Sequence, residues 1–264
     1  MEQLAQLFQG KTGAVLLFFA GIFVLERLFP AARPRLGAAM GRAVAPLMRI
    51  GKNLGFAGIN AAISPLVVIP ISAVAAQWSL DWRPVWLGGM SGLAFDLLLL
   101  DFWIYWWHRA NHRIPVLWRF HEVHHLDQFL DVTSAVRFHL GEVLLSAVVR
   151  AAIIFLFAIP LSSVVIFETL LLLATMFHHS NLRLPAVFEH LLSFIIVTPS
   201  IHWVHHHAVR RDTDSNYSTI LSVWDRVFAS RSRTQRTPDL EIGVECEQDR
   251  SFLSLVVRPF EERA

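Results

Sequence analysis

The sequence predicts an all-α integral membrane protein with about four to five membrane helices and a polar helical cap carrying the chemistry. Three observations predict it. Hydrophobic residues make up 54% of the 264 residues and charged residues 17%, against about 45–50% and about 25% in soluble domains. The mean hydropathy is +0.47. The apolar residues fall in a few long blocks, while all 13 histidines lie after residue 107.

The blocks follow in order. GAVLLFFAGIFVLERLF (13–29) is the first apolar run, and its flanks extend it toward the roughly 20 residues a spanning helix needs. The preceding MEQLAQLFQGKTG has no basic stretch and no small-residue cleavage site follows, so the run reads as a retained span. Residues 30–53 read as a basic loop with Pro30, Arg33, Pro34, Arg35, Arg42, Arg49 and Lys52. LGFAGINAAISPLVVIPISAVAA (54–76) is a second span; Pro65 and Pro70 are tolerable where freed carbonyls find partners. A short loop with Trp78, Asp81, Trp82 and Arg83 leads to VWLGGMSGLAFDLLLLDFWIYWW (85–107), which ends in interfacial aromatics. The run 142–177 is too long for one span, and Pro160 divides it into a hairpin. Arg150 within it is expected to snorkel, to pair with Glu168, or to keep its helix shallow. VFEHLLSFIIV (187–197) is too short to span and suits the interface.

One domain, 1–264, is expected: spans in 1–107, two histidine boxes in 108–141, the hairpin in 142–177, and a cap with a third box in 178–264. Basic residues concentrate in 30–53, 108–141 and the C-terminal region, which places these segments in the cytoplasm. The net charge of +2 is too small to suggest nucleic acid, and the single cysteine, Cys246, excludes intrachain disulfides and thiolate clusters.

His108 and His112 are spaced i, i+4; His121, His124 and His125 are spaced i, i+3, i+4, and His202, His205 and His206 repeat that pattern. On helices each set shares a face. Thr198 and Pro199 make an N-cap and N1 pair for the last set. Imidazole binds iron, zinc, copper and nickel. Eight such rings are too many for one ion and suit two. His139 is a further candidate, as is one of His178 and His179, whereas His190 and His207 read as non-ligands. Glu122, Asp127, Asp131, Glu142 and Asp214 are candidate acceptors that orient the rings. Trp103, Trp106, Trp107 and Trp118 read as packing and interface residues.

The string DFWIYWWHRANHRIPVLWRFHEVHH, followed by VRFHLGE, HHSN, TPSIHWVHHH, DSNYSTILSVWDRVFAS and VVRPFEE, resembles the fatty acid hydroxylase / sterol desaturase superfamily of membrane oxygenases from about residue 85 onward. The resemblance implies a cytosol-facing dinuclear centre of two iron ions, which zinc can fill in a purified sample, with O2 as co-substrate. By motif, the implied ligands are His108, His112, His121, His124, His125, His139, His179, His202, His205 and His206. Three departures stand out: Leu140 where proline is usual, Ser218 where glycine is usual, and Ala229-Ser230 where Gly-Thr is usual.

The expected reaction is O2-dependent hydroxylation or desaturation of a lipid such as a sterol, carotenoid, fatty acyl or sphingoid chain, entering from the bilayer. No dinucleotide fingerprint is present, so electrons are expected from a separate ferredoxin or cytochrome with its reductase; Arg210, Arg211, Arg231 and Arg233 are candidates either for docking it or for contacting lipid headgroups. The brevity of the chain suggests a bacterial inner-membrane protein. The competing readings are a membrane metal-dependent hydrolase, which normally needs fewer ligands, and a metal transporter or sensor, which needs ligands within the spans.

Overall fold

The computed structural model describes residues 2–33, 44–80 and 82–262. Among them the chain is helical, with isolated bridges but no strands. The longer helices are α1 (Glu2–Leu28), α2 (Val44–Ile63), α3 (Val68–Gln77), α4 (Gly89–Arg113), α5 (Pro115–His125), α6 (Leu140–Phe157) and α7 (Leu161–His179). Five short helices follow: α8 (Ala186–Leu192), α9 (Pro199–His205), α10 (Arg210–Thr213), α11 (Val223–Val227) and α12 (Phe252–Val257).

By length and composition α6 and α7 can each cross a membrane, and α2 with α3 passes as one span bent by 43°. The described helices therefore support two or three spans on this criterion, fewer than the four to five expected. Two boundaries differ from the sequence reading. The segment 30–53 is helical from Val44, so Arg49 and Lys52 stand on a helix; residues 34–43, with Pro34, Arg35 and Arg42, lie outside those described, as does Asp81. The run 54–76 breaks at residues 64–67, around Pro65, whose ring and missing N–H interrupt helical hydrogen bonding.

The expected break at Pro160 is present. Ala158 closes α6 in the left-handed conformation (φ 51°), and Pro160 caps α7. Arg150 pairs with Glu168 across these two helices at 3.0 Å. Leu100, Trp103, Ile104 and Trp107 of α4 pack with Ile154 of α6 and Val164 and Phe167 of α7. Burial of each large side chain contributes about 1.5–3 kcal/mol. Trp118 is also buried, while Trp106 is partly exposed.

α4 continues past the apolar run to Arg113, so the first histidine box stands on the last turns of a core helix. It stops because Ile114 precedes Pro115, and a residue before proline avoids helical torsions; Ile114 has φ −100° and ψ 114°. Pro115 then opens α5 at N1. One non-helical residue thus separates the helices of the first two boxes. The C-terminal segment straps α5 and α2: Leu255 packs on Phe56, Val123 and Leu126. α8 and the residues after it turn Val187, Phe188, Leu191, Phe194 and Ile195 outward.

Candidate metal centre

Nine imidazoles converge in two adjoining groups. His108, His112, His121, His125 and His205 form one; His124, His179, His202 and His206 form the other. In each group the potential ligand atoms lie within 4.8 Å of one another. Each HxxHH box divides between the groups. His121 and His125, one helical turn apart, face the first, and His124 faces the second. His202 and His206 face the second, and His205 the first.

The rings are oriented largely by backbone carbonyls. Nδ1 of His108 lies 2.8 Å from the Tyr217 carbonyl, that of His124 3.2 Å from Arg137, that of His179 2.8 Å from Thr175, and that of His205 2.6 Å from Ser215. His121 places Nδ1 2.8 Å from Glu142 Oε1. An Nδ1–H donated outward leaves Nε2 as a lone pair directed inward. Yet Nε2 of His179 lies 3.0 Å from both His124 Nε2 and His202 Nε2, and His202 Nε2 lies 3.2 Å from His206 Nε2. His124 and His179 both donate from Nδ1 to carbonyls, so no proton is available to join their Nε2 atoms. His112 and His205 each have a buried Nε2 without a hydrogen-bond partner. Buried lone pairs facing one another need a Lewis acid, and the donor set fits an imidazole-rich dinuclear metal site.

Burial pushes His124, His125, His202, His205 and His206 well below the usual imidazole range, and neighbouring rings push them further. The rings are therefore held neutral, the form that binds metal.

His139 lies apart from the other candidate ligands. It stands outside both groups: its Nδ1 accepts from Gly141 N at 2.9 Å and its Nε2 meets the Val256 carbonyl at 2.9 Å. It caps α6 and fastens the C-terminal strap. Gly141 beside it admits the Phe120 ring, whose edge would lie 2.5 Å from a Cβ at that position. Leu140 occupies N1 of α6, a position proline also favours, so this departure leaves the local turn intact. His178 is buried against His202, with ring centroids 3.9 Å apart, but belongs to neither group. His190 is exposed, and His207 pairs with Asp212 at 2.8 Å.

Among the proposed acceptors, Glu142 meets a ring directly, and Asp214 approaches His112 Nδ1 at 3.5 Å. Glu122, Asp127 and Asp131 brace the scaffold instead. Glu122 pairs with Arg258, Asp127 binds Arg49, Asn53 and Ser134, and Asp131 binds Arg49 and caps the turn at Val132–Val136. Thr198 holds the N-cap position of α9, but its hydroxyl contacts Ser200 and makes no cap bond.

Sequence reasoning missed three braces. Glu26 accepts from Val132 N and Asn181 N, both at 3.0 Å, joining α1 to the segments after α5 and α7. Asp101 accepts from Trp224 Nε1 at 2.8 Å. Asp225 accepts from Tyr217 N at 2.8 Å and Ser218 N at 2.9 Å, fixing the loop whose carbonyl orients His108. A lone buried carboxylate in an apolar run was the available signal.

Five of these histidines, His108, His121, His124, His179 and His202, line one end of a cavity of about 660 Å³ between α1, α2, α4, α6 and α7. Ile104, Trp107, Val136, Leu172 and Met176 line its walls.

The fatty acid hydroxylase family model matches residues 93–230, which contain both groups. Ornithine lipid hydroxylase OlsE of Rhizobium tropici is 26% identical over 75% of this chain and 59% of its own. Alkylglycerol monooxygenase of Danio rerio is 30% identical over 57% of this chain and 32% of its own. A cholesterol 25-hydroxylase-like protein of Danio rerio is 29% identical over 62% and 66%. The chain thus spans about three fifths of the first of these relatives and about a third of the second. No solved structure gives a significant match. A family model covering more than half of the 264 residues, with the histidine boxes inside it, makes this chain a member of the fatty acid hydroxylase family.

Proposed function

We propose that the chain is a membrane oxygenase that hydroxylates a C–H bond of a lipid, using O2 and external electrons. The observation that carries this reading is that the two imidazole groups meet a largely apolar cavity through His108, His121, His124, His179 and His202. Polar ligands at one end and a greasy chamber beside them suit a lipid whose chain must meet a metal centre. The relatives named as hydroxylases and monooxygenases favour hydroxylation over desaturation.

The groups His108, His112, His121, His125, His205 and His124, His179, His202, His206 would each hold one iron ion. When bound, the iron pair supplies reduction of O2 to an oxidant able to take hydrogen from an unactivated C–H bond. The net change is R–H, O2, two electrons and two protons to R–OH and water. The carbonyls of Tyr217, Arg137, Thr175 and Ser215 keep the ring lone pairs aimed inward. The cavity wall excludes water and positions one carbon beside the centre.

The cap faces the cytoplasm of a bacterial cell in this reading, consistent with its arginines. The outward apolar side of α8 lies in the bilayer interface. A second cavity, of about 230 Å³, gathers Arg109, Arg113, Arg211, Arg231 and Arg233 around Tyr217. It suits an acidic electron-donor protein close to His108.

Anaerobic iron reconstitution followed by 18O2, reductant and a lipid extract tests the proposal. A lipid product carrying one 18O is expected. Product formed equally without O2 overturns the oxygenase reading and returns the hydrolase.

A further inference from the structure

The cavity has a polar end opposite the histidines. Along α6 it is lined in turn by Glu142, Val143, Ser146 and Arg150, and along α7 by Thr175, Leu171 and Glu168. At 1.5 Å per residue, Arg150 lies roughly 12 Å along its helix from Glu142, and Glu168 lies roughly 16 Å from His179. Lys11 of α1 completes this end: its Nζ is 2.7 Å from Glu168 Oε2, and Arg150 Nη2 is 3.0 Å from Oε1. Two cations thus share one carboxylate, leaving one positive charge in excess. Arg150 is 7% exposed, and its Nε is buried without a partner.

An unbalanced charge against an apolar wall is costly, and a guanidinium N–H left open there is doubly so. A monoanionic group would relieve both. The cavity volume is in the range that encloses one small ligand, which suits one alkyl chain and not two. We infer that Lys11, Arg150 and Glu168 form a subsite for the carboxylate of a single-chain lipid, whose hydrocarbon runs back toward the histidines. The arginine fork offers the carboxylate paired, charge-assisted N–H donors, for which Glu168 competes. The inference deepens the oxygenase reading and rests on it: the oxidised carbon would lie far from the acid group.

Equilibrium binding of hexadecanoate and of hexadecan-1-ol to the full-length metal-free protein, followed by tryptophan fluorescence, tests it without turnover. The wild type should prefer the acid by about tenfold or more. Arg150→Met should lose the preference while still binding the alcohol. Glu168→Gln should strengthen it, because removing the carboxylate leaves two cations. A brace without a ligand role predicts no acid preference in the wild type, and parallel losses for both probes in both variants. Equal binding of acid and alcohol by the wild type, or a weakened preference in Glu168→Gln, overturns the subsite. If the acid preference holds but no O2-dependent product forms, the subsite stands and the oxygenase reading fails.

Discussion

Nε2 of His124 and Nε2 of His179 lie 3.0 Å apart, although Nδ1 of each ring faces a backbone carbonyl. Neither ring has a proton to offer the other, so the contact suits the metal ion proposed there. His139 makes the contrast, since both its nitrogens are engaged by backbone. His124→Ala should reduce the bound metal from two ions to one per chain and abolish turnover. His139→Ala should keep both ions and lose about 1 kcal/mol of stability, as expected for a lost helix cap. Metal analysis of the two purified variants, with thermal unfolding in detergent, checks both outcomes. Loss of metal from the His139 variant would restore it to the ligand set.

Among the described residues, Glu142 meets a candidate ligand ring at hydrogen-bond distance, with Oε1 2.8 Å from His121 Nδ1. A carboxylate there favours the Nδ1–H tautomer and so turns the lone pair of Nε2 inward. Glu142→Gln keeps the size but removes the charge. Metal affinity at the five-ring group should fall by about 10–100-fold, which competition with a calibrated chelator measures. The four-ring group should keep its affinity.

The spacing of the boxes was legible because helical periodicity puts i, i+3 and i+4 on one face. The split within each box was not. Whether His124 sides with His121 or with His179 depends on α7 meeting α5 and α9, a tertiary fact. His139 reads as a candidate from the sequence because a histidine beside a box has the chemistry of a ligand, and only the structure shows its Nδ1 accepting at the α6 N-terminus. Composition revealed the greasy blocks, but it could not reveal that α4 runs unbroken from the apolar core into the first box. Glu26, Asp101 and Asp225 escaped notice because a single carboxylate has no spacing to read.

Ala229 has φ 51°, in the left-handed region that favours glycine. Glycine is usual at this position in the superfamily the sequence resembles. Neighbouring Ser230 donates to Asp225 Oδ1 at 2.6 Å, so the strained turn belongs to the brace around Tyr217. Ala229→Gly should stabilise the protein by about 1 kcal/mol, less the added freedom of the unfolded chain. An unchanged or lower melting temperature would show that the turn relaxes without strain.

Burial keeps His124, His125, His202, His205 and His206 neutral in the folded, metal-free protein, with affinities for protons well below the ordinary value of 6.5. The unfolded chain gains protons on these rings as pH falls below that value, while the folded chain does not. Stability from this source is therefore present above pH about 6.5 and is lost as pH falls toward the depressed folded values. Thermal unfolding of the metal-free protein should show a plateau at neutral pH and a decline on the acid side. Bound metal competes with the same protons and should move the decline to lower pH. A metal-free protein equally stable across this range would mean that the rings are protonated or solvated in the folded state.

The arginine-lined cavity adjoins Tyr217, whose carbonyl holds His108. Arg231 and Arg233 are exposed at its rim. Charges at a rim act mainly on encounter and on its salt dependence. A double variant, Arg231→Glu with Arg233→Glu, should raise the KM for an acidic ferredoxin by about tenfold and flatten its dependence on ionic strength. Turnover driven by dithionite bypasses docking and should respond far less. An equal effect on both reductants would mean that the substitutions disturb the Tyr217 loop and through it His108. No effect on either would place the donor on another face of the cap.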